Sequence, residues 1–189
     1  NNIDYSKNIK KGLLDILFIN NKTSFKYELS KDSLYFISGD KKNYYKGLID
    51  FKPFYFSANF DYEGLSSRNI FNQDAILFDV IQSEILNNKN LNANINLAVK
   101  NIINIDELNS LFLKININQG DIEFSNSNMM WKDDVKIKLK ESLLVFDNNE
   151  INLIGKIILD FDNIDDFYKS FQINKRNRKI RKQIKIDFI

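Results

Sequence analysis

The chain has no histidine and no cysteine, so it lacks the commonest general base and the commonest transition-metal ligand. Serines are present, but none sits in a recognisable Ser-Lys arrangement, and no histidine or cysteine completes a nucleophilic triad. Carboxylates come in close pairs at Asp133-Asp134, Asp160/Asp162 and Asp165-Asp166. Glycoside hydrolysis needs two carboxylates facing each other across a substrate, and neighbours in a turn or helix start do not provide that. Asp165-Asp166 suits the positive end of a short helix, and Asp133-Asp134 suits a loop between strands. The six glycines, Gly12, Gly39, Gly47, Gly64, Gly120 and Gly155, are scattered. None forms a phosphate-cradling loop. The expectation is a non-enzymatic chain with no cofactor and no metal.

Two features remain that could bind rather than catalyse. The first is a basic run of Lys175, Arg176, Arg178, Lys179, Arg181, Lys182 and Lys185. Its plain reading is a solvated turn and edge strand, because lysine blunts edge pairing. Its sharper reading is contact with anionic lipid headgroups. Nucleic acid is the weakest fit, since no base-stacking aromatics are interleaved in the run. The second feature is an aromatic concentration: Tyr44, Tyr45, Phe51, Phe54, Tyr55, Phe56, Phe60 and Tyr62. These residues either fill a core or line a surface for acyl chains.

The bulk composition frames both. The chain is 43% hydrophobic and 28% charged, so it can bury a core and is not a disordered tail. Its net charge of +2 gives no bulk argument for a nucleic-acid partner. The 28 asparagines and 28 isoleucines fit the codon drift of an AT-rich genome better than a polar-ladder device. No apolar run approaches the roughly 20 residues of a transmembrane helix, and no signal peptide is visible. The chain begins at Asn1 and ends inside the alternating run Ile184, Ile186 and Phe188. It is therefore expected to be a segment of a larger protein, with any membrane tether outside it.

Period-two alternation dominates, which predicts strands. Phe25, Tyr27 and Leu29 open it, Leu34–Ser38 follows, and Ile49 and Phe51 lead into Phe54, Phe56, Ala58, Phe60 and Tyr62. The apolar parity switches across Pro53, which suggests a bulge or edge position. Leu91–Val99 is the clearest strand. Leu111–Ile117, Ile122–Phe124, Val135–Leu139 continuing to Val145, Ile157–Phe161 and Ile184–Phe188 complete the set. Two segments have helical spacing instead: Asn72–Asn88 with Leu77, Phe78, Ile81 and Ile85, and the shorter Asp165–Gln172. Ile105–Asn109 suits a single turn. Short connections favour antiparallel meander pairing. Only two helices are available to cover a sheet of roughly eight to ten strands, so an open sheet would expose apolar area of the kind that marks a binding surface.

Four stretches resemble the C-terminal region of the AsmA-like family of bacterial envelope proteins. They are Gly47-Leu-Ile-Asp-Phe-Lys-Pro-Phe-Tyr-Phe-Ser-Ala-Asn-Phe-Asp-Tyr62, similar to a "G-x-I-x-x-x-P-F" strand pair; Leu91 to Val99 with the following Asn-Ile-Ile-Asn-Ile; Gly120 to Trp131, a glycine turn and strand with an "S-x-x-x-W" exit; and Gly155-Lys-Ile-Ile-Leu-Asp-Phe161 leading into Asp166-Phe-Tyr-Lys-Ser-Phe-Gln172. Order and spacing carry the likeness, from about Tyr44 onward. The resemblance implies a mainly β fold: an elongated, curved antiparallel sheet forming an open apolar groove, with one amphipathic helix and one short helix. It implies a periplasmic protein tethered to the inner membrane by a segment outside this chain, acting in phospholipid transport and outer-membrane lipid homeostasis. The alternative is a structural or scaffolding β-module of an envelope protein. The expected groove lining is Phe54, Phe56, Phe60, Ile95, Leu97, Val99, Ile115, Ile117, Ile137, Leu139, Ile157 and Leu159. Lys175, Arg176, Arg178, Lys179, Arg181 and Lys182 are the expected headgroup contacts. Phe167, Tyr168 and Phe171 would pin the short helix to the sheet end. The expected partners are phospholipid, the remaining parts of the same chain and other envelope proteins, with no nucleic acid.

Overall fold

Alternation gives each strand one apolar and one polar face, and a sheet pools those faces because a one-residue slip would invert them. The computed structural model describes residues 2–4, 9–18, 21–39, 42–68, 88–124, 126–147 and 150–189. The strands are β1 (Asn2–Asp4), β2 (Ile9–Phe18), β3 (Asn21–Leu29), β4 (Ser33–Gly39), β5 (Asn43–Phe51), β6 (Phe54–Ser66), β7 (Asn92–Ile103), β8 (Leu108–Asn118), β9 (Asp121–Glu123), β10 (Asn128–Trp131), β11 (Val135–Asp147), β12 (Glu150–Phe161) and β13 (Gln183–Phe188). One helix, α1 (Ile164–Ser170), and a 3-10 turn at Lys175–Asn177 complete the described elements.

All thirteen strands form one sheet whose spatial order follows the chain. The path ends at β1 and β13, and these two are not paired with each other. The chain is mainly β in one long curved sheet, as expected, with more strands than the sequence pattern suggested. The strands β1 and β2 were not expected, because Leu13-Leu14 and Ile16-Leu17-Phe18 interrupt the period-two pattern.

Three local departures shape the sheet. First, β6 and β7 run parallel, Phe56 beside Ala93 and Phe60 beside Leu97, while every other described pairing is antiparallel. The expected all-antiparallel meander is thus corrected at one step. Parallel neighbours need a crossover of a dozen or more residues, and the chain between Ser66 and Asn92 has that length. The helix expected over Asn72–Asn88 falls in this connection, and its residues 72–87 lie outside the described ones. Second, Pro53 occupies neither a bulge nor an edge. It sits with Lys52 in a two-residue hairpin turn that pairs Phe51 with Phe54. Such a hairpin sets odd positions of β5 beside even positions of β6, which is why the apolar parity switches. Third, β9 and β10 share one position between β8 and β11. The ladder breaks around Asn126, whose φ is 67°. Buried Ser127 patches the gap, its Oγ accepting from Lys114 N at 2.9 Å and donating to Lys114 O at 3.3 Å.

Helix α1 starts where Asn163 Oδ1 accepts from Asp165 N at 3.0 Å, a side-chain N-cap. Asp165 and Asp166 occupy its first turn, where the helix dipole favours negative charge. The helix buries Ile164 and Tyr168 against Val135 and Phe161, with Trp131, Ile137, Leu159, Phe167, Ile173 and Ile184 around them. Two further buried clusters follow the sheet: Ala93, Ile115, Ile117, Ile122 and Phe124, and Val99, Ile102 and Leu111. All three clusters draw on β7 and later elements. No helix among the described residues is long and apolar enough to cross a membrane.

Candidate binding surface

Cross-strand register aligns the expected lining residues on one face. One row runs Tyr27, Phe36, Gly47, Ala58, Ile95 and Ile115 from β3 to β8. The next runs Leu29, Leu34, Ile49, Phe56, Ala93 and Ile117, and then Ile122 on β9. A third joins Tyr45, Phe60, Leu97 and Leu113. On the other side of the break, Ile137 faces Leu159 and Ile184, and Leu139 faces Ile157 and Ile186. Leu139 and Leu144 pack on the same cluster as Ile95 and Phe56, so both halves present the same face inward. A bulge at Glu141 and Ser142 opposite Gly155 keeps this so, because the register of β11 shifts there and its even positions take over the apolar side.

The twelve expected lining residues differ in access. Val99, Ile115 and Ile117 are buried among their neighbours, so they form the floor of the surface. Phe54, at the hairpin end, is 44% exposed. Phe56, Phe60, Ile95, Leu97, Ile137, Leu139, Ile157 and Leu159 are half-buried. Among the described residues of β2–β5 the same face carries none of the buried hydrophobic residues, and Leu14 is 51% exposed. There the surface is aromatic. Phe25 meets Phe36 edge-on at 5.9 Å and Tyr45 at 6.2 Å, and Tyr45 in turn meets Phe60 at 6.0 Å and Tyr62 at 5.2 Å. Burial pushes the Tyr62 hydroxyl above the ordinary tyrosine value, opposed by a hydrogen bond with Tyr45. Phe25, Phe36 and Tyr45 were absent from the expected lining set. The alternation Phe25-Tyr27-Leu29 was the signal that could have added the first of them.

The opposite face is mostly polar, although Leu13, Tyr35, Leu48 and Tyr55 also lie on it. Asn96 Nδ2 donates to Asn59 Oδ1 at 2.9 Å, and Asn94 Nδ2 donates to Asn116 Oδ1 at 2.8 Å. Charged pairs sit at its margins: Lys100 with Glu63 at 2.8 Å, Lys11 with Glu28 at 2.6 Å, and Lys138 with Asp160. Asparagine, whatever its codon origin, serves here as a cross-strand partner.

Helix α1 closes one end of the apolar face. Phe167 packs edge-on against Trp131 at 5.7 Å and Phe161 at 5.1 Å, and beside Phe171 at 4.6 Å. Phe167, Tyr168 and Phe171 therefore hold the helix onto the sheet, as expected. Of the basic run, Lys175, Arg176, Lys179, Arg181 and Lys182 are exposed. Arg178 turns inward instead: its Nε donates to Ile173 O at 2.9 Å and its guanidinium lies 6.0 Å from the Tyr168 ring. It is thus the one expected headgroup contact committed to structure.

The carboxylate pairs are separated by role. Asp133 Oδ1 accepts from Asn109 Nδ2 at 3.2 Å, and Asp166 pairs with Lys169 at 2.8 Å. The hydrogen bond from Gln183, and then Lys138, holds the Asp160 carboxyl below the usual carboxylate range. Among the described residues, no group of three or more acidic side chains could hold a metal ion. No family model matches the chain, and no curated protein or solved structure matches it.

Proposed function

We propose that this chain is a lipid-binding segment of an AsmA-like, inner-membrane-anchored periplasmic protein that takes part in phospholipid transport. One observation carries the reading. The sheet aligns most of its apolar side chains in register on one face, and among the described residues the β2–β5 part of that face carries none of the buried hydrophobic residues. Exposed apolar area on this scale marks an interaction site. The action would be passive. Each acyl methylene shielded from water contributes about 0.8 kcal/mol.

The test is native mass spectrometry of the chain purified from bacterial membranes in mild detergent. Phospholipid should co-purify, and it should be lost in a folded Leu14→Asp/Phe54→Asp variant, since both positions are half-exposed and tolerate charge. A lipid-free, monodisperse protein would defeat the reading.

A scaffolding β-module is the second reading. It is favoured by the three buried clusters over β7–β13, where the apolar face serves as the protein's own core. The same measurement separates the two, because a scaffold would carry no lipid.

A further inference from the structure

The tip of the loop between α1 and β13 sets a fully exposed isoleucine within a basic run. Ile180 is 99% exposed, with Lys179 before it and Arg181 and Lys182 after it. This exposure is built in. The buried Tyr168 hydroxyl donates to Lys179 O at 2.5 Å and accepts from Lys179 N at 3.1 Å. On the other side, Phe161 N donates to Lys182 O at 2.9 Å. The backbone is thus clamped on both sides of Ile180-Arg181, and Arg178 braces the loop beneath. Phe171, at the end of α1, adds a second large apolar side chain, 57% exposed.

The charge along this loop is one-signed. No acidic residue occurs from Lys175 to Lys182, and none of its cations makes an ion pair with a described residue. Clustered cations around an isolated apolar side chain complement an anionic bilayer: phosphates meet the cations, and the aliphatic group enters the headgroup boundary. Nucleic acid would draw on the cations alone and give Ile180 no role.

We infer that the Lys175–Lys182 loop is a membrane-docking tip that inserts Ile180 into an anionic bilayer and sets the α1 end of the sheet against it. This deepens the lipid reading above and rests on it, by naming the end of the apolar face that meets the lipid source.

The absence of cysteine makes the test clean. Ile180→Cys accepts a single environment-sensitive dye, and Lys100→Cys on the polar face serves as control. The probes are phosphatidylcholine vesicles with and without phosphatidylglycerol, and a single-stranded RNA. Dye at 180 should shift to the blue only with phosphatidylglycerol vesicles, and dye at 100 should not shift. Ile180→Ser should weaken flotation several-fold. Lys179→Gln/Arg181→Gln/Lys182→Gln should weaken it at least tenfold, since each surface cation changes partitioning roughly fivefold. Docking is overturned by an unshifted dye at 180, by equal binding to neutral vesicles, or by RNA that binds the loop while the vesicles do not. Phospholipid co-purification is scored separately on the triple variant. Retained lipid with lost flotation is the expected pattern there, and a lipid-free wild type would remove the groove reading instead.

Discussion

The ring of Phe36 on β4 lies directly over Gly47 on β5. A Cβ built on Gly47 would stand 2.2 Å from Phe36 Cζ. The cross-strand pair thus uses the missing side chain as the seat for the ring, and the ring in turn touches Phe25.

Gly47→Ala should therefore destabilise the chain by about 1 kcal/mol, since only the far end of the Phe36 ring must move aside. Gly155→Ala should cost more, about 2–3 kcal/mol. Its Cβ would meet Ser142 Oγ at 2.4 Å and Ser142 Cα at 2.7 Å, and Ser142 is fixed by Phe124 N donating to its carbonyl. Urea denaturation reads both. Adding Phe36→Leu should recover much of the Gly47→Ala loss in a double-mutant cycle. Equal costs at the two glycines would contradict the contrast between a movable ring and a fixed backbone.

Stability should be flat from about pH 5 to 9, because no histidine titrates there. Asp15, beside Lys22 and Ser24, Glu141, beside Lys156, Asp160, beside Gln183 and Lys138, and Asp166, beside Lys169, all have lowered pKa values. A lowered carboxyl stabilises the fold above its unfolded pKa of about 4 and loses that contribution as pH falls through the folded value. Tyr62, raised by burial, and Lys156 and Lys169, raised by Glu141 and Asp166, act oppositely. Their contributions are lost as pH climbs past about 10. Thermal melts across pH should show both limbs. Asp160→Asn should shallow the acid limb while changing neutral stability by about 1 kcal/mol or less, as befits a partly exposed pair.

Tyr168→Phe removes the hydroxyl that both donates to and accepts from Lys179. The ring keeps its buried place, so global stability should fall by only about 1 kcal/mol. Hydrogen exchange should report the larger effect: the Lys179 amide loses its protection while β12 keeps its own. Unchanged exchange at Lys179 would mean that the clamp does not hold the loop.

Alternation in Leu91–Val99, Leu111–Ile117 and Val135–Leu139 was sufficient to assign strand, face and inward residues, because a side chain on a pleated strand has only two directions to take. Asp165 and Asp166 likewise marked the first turn of α1, since the helix dipole acts within one turn. The sequence could also show that Lys175–Lys182 carries one sign of charge.

Which strands meet is a different matter, settled by partners far away in the chain. Nothing local to Phe56 or Ala93 says that they run side by side in parallel, or that Lys52-Pro53 turns a hairpin instead of bulging a strand. The depth of Val99, Ile115 and Ile117, against the half-exposure of Leu97 and Ile157, comes from how far the sheet curls over its own face. The inward turn of Arg178 and the outward thrust of Ile180 depend on where Tyr168 is buried. Sequence periodicity fixes each residue's side of its own strand, whereas burial sums over all the strands and loops that converge on that side, and only the tertiary structure brings those together.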